Sequence, residues 1–249
     1  DWSVTGVQTC ALPISYTHEH SRERLAPVYT LSQDLPLPET EHRNWAGFCG
    51  SAPVRNHNQA AEHIQNDVYG ELVLALTPIF SDNRFYDLRT KDQEQLVANL
   101  ARLCDRTIAQ PDAGLWEIRN GWQEHSFSYL MCWAGLDRAH RMHKAGCLPS
   151  LTLDLDAART RAAQALLNAT KDGSLRNGPK DDTYDASLAQ AAILGFPNRD
   201  VCEATMQSIA RALAVQAGGK ETGFYFRYLR TDDFGRPQSS FVICSFWVV

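Results

Sequence analysis

The sequence predicts an all-α chain of about seven helices joined by long loops. Three observations predict it. Apolar residues recur three and four positions apart in stretch after stretch. Thr90 with Gln93, and Asp200 with Glu203, stand at the spacing of a capping box. Only GFYFRY, at 223–228, reads as a strand.

The elements follow in order. From Tyr16 to Ser51 the text is loop-like, with Pro27, Pro36, Pro38 and Gly50. From Asn58 onward Ala61, Ile64, Val68, Leu72 and Leu76 make one helical stripe, which Pro78 is expected to stop. The Thr90–Gln93 box opens a helix carrying Leu96, Leu100, Leu103 and Cys104. Phe127, Leu130, Met131, Ala134 and Arg138 continue at helical spacing. With Trp133 and Leu136 that helix is apolar around much of its girth, the mark of a buried helix. Asp154 starts the next, with Ala158, Ala162, Leu166 and Leu167 facing inward. Asp185 to Leu194 is a short apolar helix. The Asp200–Glu203 box opens one striped by Val201, Met206, Ile209 and Leu213 and ended by Gly218 and Gly219. A last helix begins near Ser240. The connections vary in length, so no solenoid repeat is evident, and functional residues are expected on loops at one end of the helices.

Composition bounds the function. The 249 residues are 44% hydrophobic, enough for one large core or part of a bigger one. Charged residues make up 21%, the net charge is −5, and the basic residues are scattered, which argues against nucleic acid as a partner. No apolar run approaches the length of a membrane span, so no membrane partner is expected. Seven cysteines, at 10, 49, 104, 132, 147, 202 and 244, include no C-x-x-C pair, which argues against a zinc site or a disulfide framework. Cys132 and Cys244 lie in apolar runs and read as small buried hydrophobes. That usage fits a reducing compartment, so a cytoplasmic location is expected. VTGVQTCALPI, at 4–14, matches the translation of a sequencing-library adapter. Residues 1–15 are therefore expected to be non-native. SFVICSFWVV, at 240–249, stops inside an apolar run, so the chain reads as part of a longer gene.

The residue that could carry chemistry is Glu117. It follows Trp116 on a loop opened by Gly114. A carboxyl partly desolvated beside an indole favours its neutral form, which suits a general acid. The alternative is an ordinary surface Glu beside a core Trp, and spacing alone favours it. Glu124, just before the following helix, is a rival acid that reads better as a first-turn helix charge. Glu71 reads as structural. His63 and His125 have no metal-ligand spacing partners and read as polar surface or supporting groups.

LWEIRNGWQEHSFSYLMCWAGLDRA, at 115–139, resembles the catalytic-acid segment of glycoside hydrolase family 15, the glucoamylase and trehalase family. GSAPVRNHNQAAEHIQNDVYGEL (50–72) is similar to its Pro-Val-Arg loop and Asp-Val-Tyr-Gly-Glu helix. YDASLAQAAILGF (184–196) is similar to its Asp-Ala-Ser helix start. FRYLRTDDFGRPQSSFVICSFW (226–247) is similar to its Arg-Tyr loop and Cys-Ser-Phe-Trp helix. These motifs stand in family order. Where the family has Gly-Asn after Pro-Val-Arg, this chain has Asn56, His57 and Asn58.

The resemblance implies a partial (α/α)6 toroid, with residues 16–249 a fragment of the catalytic domain. It implies inverting, exo-acting hydrolysis of α-linked glucosides of the glucoamylase or trehalase type. An oligo- or disaccharide would be the substrate, with no cofactor and no metal. Glu117 would protonate the glycosidic oxygen. Arg227 falls where the family has an Arg that binds sugar hydroxyls; a salt bridge to Asp232 or Asp233 is an equal reading. Trp116 would stack on a sugar or pack so as to seat Glu117. Arg119 would face the aglycone side or hold Glu117. Arg55 is a weaker substrate-binding candidate that could instead pin its loop against Asp67 or Glu71. The family's upstream Arg-Asp segment and downstream Glu base have no counterpart here, so the fragment is expected to be inactive. Two other readings stand beside this one: a non-catalytic helical scaffold that binds a partner in its groove, and another (α/α)6 carbohydrate hydrolase.

Overall fold

The computed structural model describes residues 24–30, 37–119, 121–233 and 235–248, so the 1–15 segment lies outside the described residues. Among the described residues there are seven α-helices: α1 Asp67–Ser81, α2 Lys91–Thr107, α3 Ser126–Lys144, α4 Leu155–Leu167, α5 Gln190–Leu194, α6 Arg199–Leu213 and α7 Val242–Val248. The all-α expectation holds, and one apolar core runs from Leu25 to Cys244. No helix of the described residues is long and apolar enough to cross a membrane.

The central helix is α3, which packs against α1, α2 and α4. It is buried on nearly every face, including Phe127, Leu130, Met131, Trp133, Ala134 and Leu136, as its all-round apolar pattern requires. Two glycines set how closely α1 and α3 approach. A Cβ on Gly70 would lie 2.0 Å from the Met131 carbonyl oxygen, and one on Gly135 would lie 2.8 Å from the Gly70 Cα. Cys132 and Cys244 are buried free thiols, as their apolar settings suggest.

Caps explain most boundaries. The Thr90–Gln93 capping box forms in both directions, at 3.3 and 2.9 Å. Asp154 accepts the Ala157 amide at 3.0 Å and starts α4. The second expected box does not form. α6 is capped by Asn198, which accepts the Val201 amide at 3.1 Å, and Asp200 falls inside the first turn. The buried stripe of α6 is correspondingly Cys202, Thr205, Ile209 and Leu213.

Three expectations are corrected. Pro78 does not stop α1, which continues to Ser81. A proline this close to a helix end costs one hydrogen bond, and three more residues complete the turn. The stripe before it is also broken. Gln59–Glu62 is a separate 3-10 turn capped by Asn58, so Ala61 and Ile64 precede α1 rather than belong to it. Gly218 and Gly219 do not end α6. They are the turn of a hairpin pairing β5 (Ala214–Ala217) with β6 (Lys220–Tyr225), and both have positive φ, 58° and 74°, as a tight hairpin turn demands.

GFYFRY is not the only extended stretch, and it leaves the strand after Tyr225. Thr40–His42 (β1) pairs with Val54–Asn56 (β2), and Thr170–Lys171 (β3) with Ser174–Leu175 (β4), all antiparallel. The second of these turns is Asp172-Gly173, a hairpin signal present in the sequence.

Candidate active site

The loop between α2 and α3 is folded around a buried carboxylate. Asp112 pairs its backbone with Gln123 at 3.0 and 3.3 Å and closes the loop. Its side chain accepts the amides of Asn66 (2.8 Å) and Gly114 (3.0 Å) and the Ser128 hydroxyl (2.7 Å). Burial raises the Asp112 carboxyl above the usual range, and those three donors oppose the rise. The loop is also stitched to the segment before α1. Ala113 donates to the Ile64 carbonyl at 2.8 Å, and the Gln65 amide group donates to the Gly114 carbonyl at 2.9 Å. Gly114 has φ +66°, and the His125 ring would lie 2.8 Å from any Cβ there.

At the head of this loop Glu117 donates its amide to the Gly114 carbonyl at 3.1 Å and takes φ +56°, a left-handed conformation that favours glycine. The residue before it and the one two positions after it are tied to carboxylates. The Trp116 indole N–H donates to both oxygens of Asp185, at 3.0 and 2.9 Å. The Arg119 amide donates to Asp233 at 2.6 Å. The indole ring lies among Tyr228, Phe241 and Trp247, with ring centroids 5.8–6.2 Å away, and the Arg227 guanidinium is 5.8 Å from its centre.

Of the two readings of Arg227, the ion pair is present: its Nη2 donates to Asp232 at 2.7 Å. Arg119 reaches Gln59 at 3.1 Å and Glu39 at 3.2 Å. Arg55 does pin its loop, but not against Asp67 or Glu71. It pairs with Glu39 at 3.3 Å and Glu41 at 2.9 Å, because the β1–β2 hairpin places those acidic residues beside it. Glu39 therefore joins Arg55 to Arg119.

A cavity of about 500 Å³ is lined by Arg227, Asp232 and the 235–241 segment. A second, of about 250 Å³, lies between Ile118, Gln123, His125 and Asp181 on one side and Arg230–Asp232 on the other. Glu117 lines neither; the two cavities share Asp232. Asp181 would be raised by burial, but the Thr183 hydroxyl and amide, Asn177 and Gln123 all donate to it and hold it below its ordinary value.

His63 and His125 are buried rather than at the surface. His63 meets Trp122 edge to face at 5.9 Å, and its Nδ1 has no partner. Burial lowers its pKa, and the nearby charge of Glu117 opposes this. Glu124 precedes the helix N-cap and accepts the Tyr129 hydroxyl, so it is not a first-turn charge. Among the described residues no three His, Cys, Asp or Glu side chains are gathered as a metal site would require.

Sequence reasoning missed the carboxylates that organise the site: Glu39, Asp112 and Asp185. Asp185 carried a signal, since it opens the Asp-Ala-Ser helix start, where its Oδ1 accepts the Ser187 amide at 3.0 Å.

The model of the family "Glycosyl hydrolases family 15" matches residues 15–249. A trehalase of Mycobacterium tuberculosis is 28% identical over 250 residues, covering 95% of this chain and 34% of that protein. A trehalase of Thermoplasma volcanium is 27% identical over 242 residues, covering 91% of this chain and 36% of the other. The chain thus spans about a third of the length of these curated relatives. A solved glycosidase variant in complex with glucose superposes with a TM-score of 0.60 at 18% identity, over 80% of this chain and 53% of that one. A wild-type glycosidase gives the same TM-score and coverage. These likenesses identify the helical array as part of an (α/α)6 toroid. Since the family model takes in all but the first fourteen residues, and the Glu117 loop, the Asp-Ala-Ser start and the Arg-Tyr loop converge on one site, the chain belongs to glycosyl hydrolase family 15.

Proposed function

We propose that the protein hydrolyses an α-linked glucoside, trehalose first among the candidates, with Glu117 as general acid. The observation that carries the reading is the setting of Glu117: a carboxylic side chain at φ +56°, half-buried, with Trp116 before it and Arg119 two residues after it each anchored to a carboxylate. The 27–28% identity to trehalases supports trehalose among α-glucosides.

In this reading Glu117 gives its proton to the glycosidic oxygen as the bond from the anomeric carbon breaks. A water attacks the opposite face, and a second carboxylate takes the proton from that water. Inversion follows, and it needs the two carboxyl groups roughly 6.5–9.5 Å apart. That base is expected from sequence outside these 249 residues, and action at the chain end of the sugar follows the family resemblance. Arg227 supplies donors to sugar hydroxyls from the rim of the larger cavity; its side chain remains 32% exposed despite the Asp232 pair. Trp116 seats Glu117: its N–H is engaged by Asp185 and its partly buried ring packs against Phe241 and Trp247. Arg119 and Arg55 hold the acid loop through Glu39.

Glu117→Gln in protein that turns over trehalose tests the assignment. A fall in kcat of about 10²–10⁴-fold with sugar binding retained is expected. Turnover near wild type would move the acid elsewhere. A panel of trehalose, maltose and isomaltose fixes the linkage. The 249-residue chain alone is expected to hydrolyse none of them, and measurable turnover would place the base within it.

A further inference from the structure

Glu117 has no glycine's freedom, yet its backbone sits in the left-handed region. Something must hold it there, and the nearest restraint is the indole of Trp116. The ring is boxed by three aromatic residues, and its N–H is shared between both oxygens of Asp185. These contacts restrain the ring, and with it the Trp116 Cα and the start of Glu117.

Asp185 does more than cap a helix. Capping needs one oxygen, and Oδ1 serves it by accepting the Ser187 amide at 3.0 Å and hydroxyl at 2.7 Å. Oδ2 instead faces the indole and Arg230, at 2.9 and 3.1 Å. The side chain is 4% exposed, so its charge is effective and directional. Its backbone pairs with Tyr228, and Ala186 donates to the Arg227 carbonyl at 2.9 Å. One carboxylate therefore ties the acid loop, the Asp-Ala-Ser turn and the Arg-Tyr loop together.

We infer that Asp185 is a positioning residue for Glu117, acting through the indole N–H of Trp116. This rests on the reading of Glu117 as the acid.

Three variants separate positioning from support. Trp116→Phe removes the donor and keeps a ring. Asp185→Asn keeps an acceptor for Ser187 and removes the charge. Ser187→Ala removes only a capping hydroxyl. Backbone amide exchange is measured in this chain across 114–119 and across the α3 core. Trp116→Phe and Asp185→Asn should each speed exchange at 114–119 by about tenfold or more while α3 keeps its protection. The double variant should be no worse than either single, and Ser187→Ala should leave 114–119 unchanged. In protein that turns over trehalose, the first two should lower kcat by about 10–100-fold with KM little moved. Unchanged exchange in Asp185→Asn, equal loosening in Ser187→Ala, or additive effects in the double variant would each overturn the inference. Full turnover by Glu117→Gln would instead remove the acid assignment, and the exchange result would still stand or fall on its own.

Discussion

Arg227 and Asp232 form an ion pair of unequal halves: Nη2 donates to Oδ2 at 2.7 Å, with the Asp side chain 4% exposed and the Arg side chain 32% exposed. The same oxygen accepts the Tyr228 hydroxyl at 2.6 Å. Asp232 is thus the fixed member and Arg227 the one left open toward the larger cavity. Asp232→Asn weakens two donors' partner at once and should cost about 1–3 kcal/mol of stability in urea denaturation. Glucose affinity, followed by calorimetry, should fall with it if Arg227 binds hydroxyls. Lost stability with unchanged affinity would confine Arg227 to a structural role.

Asp67 opens α1, is buried, and leaves Oδ1 without a partner. Burial pushes its carboxyl well above the usual range, and the charges of Glu71 and Asp112 push the same way. The unfolded chain releases this proton near pH ~3.9, while the folded protein keeps it to higher pH. Across that window the folded state binds more protons, so stability falls as pH rises, and the penalty is complete above the folded pKa. Asp67→Asn should therefore raise the melting temperature at about pH 7, with the gain vanishing below about pH 4. A pH-independent difference, or a loss at neutral pH, would contradict a raised Asp67 carboxyl.

What the sequence made legible follows the range of the interaction. Thr90 and Gln93 form their box because both partners lie within one turn. Leu130, Trp133 and Leu136 are buried because α3 is apolar whichever way it faces. Gly218-Gly219 was misread because a glycine pair ends a helix or turns a hairpin equally well, and the pairing of Ala214 with Tyr225 decides it. Asp200 lost the cap to Asn198 by two residues, the usual uncertainty of a boundary. At the site, Glu117 and Trp116 were singled out by the likeness of the whole 115–139 segment to the family's, since their adjacency alone favours an ordinary surface Glu. Asp185 is 69 residues from Trp116, and Glu39 is 80 from Arg119. No local spacing announces such partners, and the pairing of Arg55 with Glu39 and Glu41 depends on the β1–β2 hairpin, whose register the sequence did not announce.

The crossing of α1 and α3 leaves no room for a methyl group. A Cβ at Gly70 would meet the Met131 carbonyl oxygen at 2.0 Å and its carbon at 2.3 Å, both backbone atoms that cannot swing aside. Gly70→Ala should cost at least about 1–3 kcal/mol by overpacking, against the gain in helix propensity that alanine brings elsewhere. Thermal unfolding measures it. A stabilised variant would mean that the helices separate freely here.

Glu117 offers the sharpest conflict between stability and chemistry. Its φ of +56° is one that side chains adopt at a cost of about 1–3 kcal/mol, and glycine avoids that cost while losing about 0.5–1 kcal/mol in chain entropy. Glu117→Gly should therefore stabilise the protein by about 1 kcal/mol while abolishing turnover. Glu117→Gln keeps the Cβ and should leave stability unchanged. Ala109, exposed at φ +63° and outside the proposed machinery, calibrates the backbone contribution: Ala109→Gly should stabilise by a similar amount and spare activity. If glycine at 117 destabilises while glycine at 109 stabilises, the Glu117 side chain contributes to folding and its presence needs no catalytic explanation. If both stabilise, the chain carries a carboxyl at 117 at the expense of its own fold, which is what a general acid held in place for a proton transfer requires.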